Sequence, residues 1–275
     1  MKLTEPKWLG SYIYYQNKPN EILAKKIQPL IKEIVNKKWA KHFFYIRYYD
    51  QYGLHIRLRM KGEQEVIETR IKPYIIDYLP YKVRFVTYRP ELKRYGGKSG
   101  ILIAEEQFEA SSNVALAFFA ENPDARYERS LGTALQINLN MMHAFGMDRA
   151  ETAAFFNHLV SLDQIEEFEK NLMSQQNTIL PFIVNLWNAF EHKTTFDRPW
   201  FTTWQKAMSE TGQSLQSAYA DDTLRYVDPK KSHSQNPLWY IYESYVHMNN
   251  NRLGIINTDE QYMAYIIKKA LETIL

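Results

Sequence analysis

The chain has 275 residues, with 45% apolar and 24% charged side chains, a balance that excludes global disorder and a length that allows a sizeable core without staples. It has no cysteine, which excludes disulfides, thiolate metal sites and a cysteine nucleophile, and fits a reducing cytoplasm. Its 34 Lys and Arg against 31 Asp and Glu leave a net charge of +3, too small by itself to argue for nucleic acid or an anionic membrane. Aromatic content is high at 15%, with 20 Tyr, as suits a groove that receives a chain with both apolar and polar parts, though aromatic cores look the same in composition. The start, Met1 to Lys7, is polar and has no apolar stretch behind it. The longest apolar run, Val114 to Ala120, is far short of the roughly 20 residues of a membrane-spanning helix, so a soluble protein with no membrane partner is expected.

In chain order, residues 8–15 (WLGSYIYY) read as an aromatic-rich strand. Pro19-Asn20 opens a helix with Ile22, Leu23, Ile27, Leu30, Ile31, Ile34 and Val35 on one face. Residues 42–49 read as a second strand, 50–53 as a turn and 54–60 (LHIRLRM), which alternates throughout, as a third strand. A second helix follows Gly62, with Val66, Ile67, Ile71, Tyr74, Ile75, Tyr78 and Leu79 on one face, and Pro80 stops it. Residues 82–88 read as a fourth strand. The order strand, helix, strand, strand, helix, strand is the split βαβ, ferredoxin-like plan, with the first and third strands central and both helices on one face.

From about residue 100 the pattern is helical. Segments are predicted near 101–121, 128–145, 148–172, 176–191, 199–219, 237–248 and 259–274. Asn236-Pro237 reads as an N-cap followed by the first helical residue, and Thr258-x-x-Gln261 as a capping box. The segment 220–236 is polar and reads as a loop. The fold class is therefore α+β: a ferredoxin-like split βαβ sheet at the N-terminus packed against a mainly helical C-terminal half. The expected organisation is a single domain over 1–275, with an α/β part to residue 98 and a helical part from residue 99.

The third strand concentrates chemistry. His55, Arg57 and Arg59 share one face, and Ile56, Leu58 and Met60 turn to the helices. Two guanidiniums beside an imidazole repel one another and call for an anion, and the planar fork of Arg suits a carboxylate or phosphate. The stretch YRPELKRYGG (88–97) adds Glu91, Arg94 and Tyr95 beside a glycine pair that permits a sharp turn. Glu91 and Arg94 read either as an ion pair or as an extension of the anion pocket. Further on, His247 and Asn251 are four residues apart on a helix, where the amide could hold an imidazole tautomer, and Arg252 follows. No pair of His shows metal-ligand spacing, and there is no dinucleotide fingerprint, phosphate loop or nucleophile elbow, so no metal and no cofactor are expected.

These blocks, IRYYD (46–50), HIRLR (55–59), YRPELKRYGG (88–97), AEEQF with SS (104–112) and HMNNNR (247–252), resemble in order the elimination domain of lantibiotic dehydratases, which also occurs alone as the thiopeptide-type bacteriocin biosynthesis protein. The resemblance implies a lyase that expels glutamate from glutamylated Ser or Thr of a ribosomal precursor peptide, leaving dehydroalanine or dehydrobutyrine. It implies His247, Arg57, Arg59, Arg94 and Glu91 as catalytic residues, with His55, Tyr95, Asn251 and Arg252 binding substrate. His247 is the leading acid–base group, expected to converge with Arg57 and Arg59 on one pocket. The family's Asp-Ser after AExxF is Ser111-Ser112 here, so a carboxylate is missing at that position. The implied partners are a precursor peptide with its leader, docking by addition to an exposed strand edge, and a separate tRNA-dependent glutamylating enzyme; direct nucleic-acid contact is not expected, and a homodimer is among the expected states. Two other readings compete: a pyridine-forming [4+2] cyclase of the same family, and a non-catalytic peptide- or RNA-binding module. The RNA reading is disfavoured by the want of an aromatic on the helix-free face of the third strand.

Overall fold

The computed structural model describes residues 6–194, 196–225 and 236–273. It resolves into two compact units: the chain up to Pro90 together with Phe108–Arg126, and Glu91–Gln107 together with the chain from Tyr127 on. The α+β reading holds: a small antiparallel sheet near the N-terminus and a mainly helical remainder.

In the first unit, strands β1 (Lys7–Tyr14), β2 (His42–Asp50), β3 (Gly53–Gly62) and β4 (Val83–Thr87) form one sheet in the order β2-β3-β1-β4. β1 and β3 are central, as the split βαβ plan requires, and all three pairings are antiparallel. The alternation of β3 is realised: Ile56, Leu58 and Met60 are buried, and Arg57 and Arg59 lie half-exposed on the opposite face.

The two helices of this unit are less regular than their apolar spacing suggests. The first runs as α1 (Pro19–Ile22), a π-turn (Leu23–Ile27) and α2 (Gln28–Asn36). The second runs as α3 (Gln64–Val66), a π-turn (Ile67–Ile71) and α4 (Lys72–Tyr78). Each π-turn ends two residues before a proline, Pro29 or Pro73. A proline has no N–H for the carbonyl four residues back and its ring crowds that carbonyl. The ladder widens by one residue instead: Gln28 N–H donates to the Leu23 carbonyl and Lys72 N–H to the Ile67 carbonyl. The predicted apolar stripe of the first helix is buried up to Ile34, but Val35 is exposed, one residue before the helix ends.

Helix α5 (Gly97–Glu121) contributes its second half to this unit. That half covers the outer edge of β2. The Tyr45 N–H donates to Ser112 Oγ (3.1 Å), Phe44 packs on Phe108 (ring centroids 5.2 Å), and Arg47 lies over the Phe119 ring (4.9 Å).

The second unit holds α6 (Tyr127–Ala144), α7 (Arg149–His158), α8 (Ile165–Met173), α9 (Gln176–Glu191), α10 (Pro199–Ala220), α11 (Trp239–Leu253) and α12 (Thr258–Glu272). Three expectations are corrected. The single helix expected over 148–172 is two, separated by a turn and a 3-10 segment at Leu162–Gln164. The helix expected over 237–248 runs from Trp239 to Leu253; Asn236 Oδ1 does accept the Leu238 N–H (3.0 Å), but this closes a turn before the helix rather than its first turn. The capping box is not formed: Thr258 is already helical, and Gln261 Oε1 accepts from the Ser161 N–H (3.3 Å). Of the loop expected over 220–236, residues 226–235 lie outside the described residues. Among the described residues no helix is long and apolar enough to cross a membrane.

Candidate functional site

The face of the sheet that carries Arg57 and Arg59 is built by register. Arg57 stands opposite Tyr12 of β1 and Ile46 of β2, and Arg59 opposite Gly10 and Phe44. Arg57 lies flat on Tyr48 (3.2 Å from guanidinium carbon to ring centroid) and within 4.7 Å of the Tyr12 ring. Arg59 lies between Phe44 (5.2 Å) and Tyr88 (5.1 Å), whose rings pack edge-on with each other and with Trp8. Both guanidiniums are thus bracketed by π-faces. The four strands contain one acid, Asp50, at the end of β2, so this face is electropositive.

His55 has a different place from the one its position on the strand suggests. It is fully buried, stacked between Tyr12 and Tyr14 (4.9 Å each). Its Nδ1–H donates to the Gly53 carbonyl (3.0 Å) and its Nε2 accepts the Arg57 Nε–H (3.1 Å), bonds that together require the neutral imidazole. Burial pushes its pKa below the ordinary imidazole value, with the Gly53 carbonyl pulling the other way. Both ring nitrogens are spent inside the chain, on the Gly53 carbonyl and on Arg57. With Arg57 Nε committed to His55, the terminal Nη pair is the edge that can meet an anion.

In the second unit, Glu91 precedes a 3-10 turn at Leu92–Tyr95, which the positive φ of Gly96 (83°) and Gly97 (87°) closes. Leu224 and Ile241 side chains stand 3.0 and 3.2 Å from where a Cβ on Gly96 would sit, so a side chain there meets tight packing besides an unfavourable backbone conformation. The turn presents Arg94 to α11: its Nε–H donates to Ser244 Oγ (3.0 Å), and its Nη1 pairs with Glu91 Oε2 (3.5 Å). Both readings of the Glu91–Arg94 spacing therefore stay compatible, since the pair is formed yet Arg94 is still partly exposed. Tyr95 is buried and stacks on Tyr245 (5.9 Å), which makes it a packing residue of the turn.

His247 lies on α11 three residues after Ser244, so Arg94 and His247 meet the same stretch of that helix. The His247 Nδ1–H donates to the Glu260 carboxylate (2.9 and 3.1 Å) from the first turn of α12, and the ring is 42% exposed. The Nδ1 partner of the imidazole is Glu260. A carboxylate on Nδ1 fixes the ring orientation and leaves Nε2 as the nitrogen not engaged by Glu260. Sequence reasoning missed Glu260 because nothing local links it to a residue thirteen positions earlier.

The rest of the HMNNNR block is mostly interior. Asn249 and Asn250 belong to a buried amide chain: Gln107 Nε2 donates to Asn249 Oδ1 (2.9 Å), Asn249 Nδ2 to Asn138 Oδ1 (2.9 Å), and Asn138 Nδ2 to Asn250 Oδ1 (2.8 Å). Arg252 is also fully buried and donates to the Met248 carbonyl (2.8 Å), so the expected substrate contact gives way to a place in the core. Asn251 is half-buried. Among the described residues no three His, Asp or Glu are grouped as metal ligands.

The chain belongs to the family described as "Lantibiotic biosynthesis dehydratase C-term", whose profile matches residues 8–271. No curated protein matches the sequence. Three solved structures share the fold. The tRNA-dependent lantibiotic dehydratase MibB from Microbispora sp. 107891 is 19% identical with a TM-score of 0.68, over 98% of this chain and 28% of MibB. The chain thus spans little more than a quarter of that protein's length. TsrL is 16% identical with a TM-score of 0.73, over 98% of this chain and 95% of TsrL. TbtD, a pyridine synthase from thiomuracin biosynthesis, is 12% identical with a TM-score of 0.72, over 98% of both chains.

Proposed function

We propose that the protein is a lyase that eliminates glutamate from glutamylated Ser or Thr of a ribosomal precursor peptide. The observation that carries this reading is the face of Arg57 and Arg59, two guanidiniums walled by aromatic rings on strands with a single carboxylate. Such a face suits a departing carboxylate, because the rings fix the donors in place before charge develops. In the reaction a base takes the α-proton of the modified residue, the Cα–H electrons form the Cα–Cβ double bond, and the Cβ–O bond breaks to release glutamate as its carboxylate. His247, with Nδ1 on Glu260, supplies the acid–base function through Nε2, and Arg94 with Glu91 lines the same reaction. The glutamyl group comes from a separate tRNA-dependent enzyme.

The test is incubation of the purified protein with a glutamylated peptide, followed by mass spectrometry. Release of glutamate with formation of dehydroalanine supports the reading. Arg57→Ala and His247→Ala are each expected to slow release by about 10²-fold or more with folding intact. If both sets serve one step, the double variant is no slower than the slower single variant. The second reading is the cycloaddition, favoured by the similarity to the pyridine synthase TbtD along the full length of both chains. A peptide already bearing dehydroalanines separates the two: a macrocycle with an expelled leader, and no glutamate release from the first substrate, overturns elimination.

A further inference from the structure

The sheet has two edges, and the described residues of the first unit cover one of them. Along β2 the second half of α5 occupies the edge, from the pair of His42 with Glu109 (2.8 Å) to the Tyr45–Ser112 hydrogen bond. β4 differs. The Tyr14 N–H donates to the Lys82 carbonyl (3.0 Å), and the register sets Tyr12 against Arg84 and Gly10 against Val86. In an antiparallel ladder this alternation turns the backbone groups of Lys82, Arg84 and Val86 toward β1, and those of Val83, Phe85 and Thr87 outward. Among the described residues no bond reaches those outward groups.

Hollows flank this open edge at both ends. One of about 700 Å³ lies beside Pro80–Lys82 and is lined by Lys18, Lys25, Lys26 and four tyrosines, with Glu21 paired to Lys18 and Lys25. The other, about 380 Å³, lies beside Phe85–Thr87 and is lined by Lys7, Ile67 and Lys72, the last paired with Glu68 (2.7 Å). The charge of the chain is also unevenly shared. Residues 6–90 hold 17 Lys and Arg against 7 Asp and Glu, so the modest net charge conceals a strongly basic segment. Lys82, Arg84 and Arg89 stand on or next to the edge strand itself and are exposed.

We infer that the outer edge of β4 takes up an extended acidic peptide segment as a fifth strand, backbone to backbone at Val83, Phe85 and Thr87, with alternate side chains dropping toward the hollows. Cations on an edge strand also keep copies of a protein from pairing with one another, a role that needs no ligand and predicts no binding. On the proposed function, the segment is an acidic part of the same peptide that carries the glutamylated residue. The docking itself needs no glutamyl group and is measured without turnover.

The experiment uses the whole protein and a fluorescein-labelled peptide of alternating Glu and Val, with two twins N-methylated at every second residue in opposite phases and a Lys–Val counterpart. The Glu–Val peptide is expected to bind and to slow amide exchange at Val83, Phe85 and Thr87. Methylation in one phase is expected to weaken binding about tenfold or more and in the other to leave it near the parent, because only alternate amides face the edge. Thr87→Pro removes an outward donor without touching the β1 ladder and is expected to weaken binding by a similar, roughly tenfold factor at unchanged melting temperature. Equal effects of the two phases, equal binding of the Lys–Val peptide, exchange protection elsewhere, or no binding at all overturns the proposal. None of these outcomes bears on whether glutamate is eliminated, and a failed elimination assay leaves the binding result standing.

Discussion

Arg57 takes its geometry from neighbours that carry no charge. Tyr48 and Tyr12 hold its plane, and neutral His55 holds its Nε. Loss of the guanidinium in Arg57→Ala is expected to slow glutamate release by about 10²–10³, the usual cost of one donor to a developing anion. His55→Ala frees that guanidinium to swing and is expected to cost about tenfold, with His55→Gln, which can still accept from Nε, recovering most of it. Rates at saturating glutamylated peptide check both. At the second group, Glu260→Gln keeps shape but no longer stabilises an imidazolium, and kcat is expected to fall by about ten- to a hundredfold with KM little changed. Arg57 and Arg59 were legible from strict alternation on one strand. Glu260 was not, because its bond to His247 joins two helices, and Arg252 was misread because a charged residue in a motif does not announce that it is buried.

At the level of elements, periodicity carried most of the fold. β3 alternates, the helices repeat, and the strand order follows from connectivity. What periodicity hides is how polar side chains tie one helix to another. The chain Gln107–Asn249–Asn138–Asn250 joins α5, α11 and α6 through amides with no exposed surface, and asparagines in a helix read equally well as surface residues. Asn138→Leu leaves two buried amides short of a partner. It is expected to cost about 2–3 kcal/mol in urea unfolding, with the m-value unchanged.

For the molecule as a whole, two imidazoles, His55 and His143, are held below their ordinary pKa, chiefly by burial. The unfolded chain takes up these protons first, so stability is complete above about pH 6.5 and declines as pH falls from there toward the depressed folded values. The melting temperature is therefore expected to drop between neutral and mildly acidic buffer. His143→Phe, in a setting that already includes Trp187 and Phe190, is expected to reduce the drop. Family membership was legible in the order of a few short blocks although identity to the solved relatives is only 12–19%. Those blocks mix groups that face outward, such as Arg57, with groups that build the interior, such as Asn249 and Ser112. Order along the chain cannot tell the two apart.

The twin π-turns carry a consequence for the chain's reading frame. Each is one residue of slack spliced ahead of a proline, and both helices of the sheet hold it at the same spacing, Leu23 to Pro29 and Ile67 to Pro73. Excising Lys25 while replacing Pro29 by Ala should yield an unbroken α-helix whose far end keeps its phase against the sheet. Such a shortened protein is expected to melt near the parent temperature, whereas excision of Lys32 from the regular stretch after Pro29 turns Ile34 out of phase with Leu30 and Ile31 and lowers the melting temperature markedly.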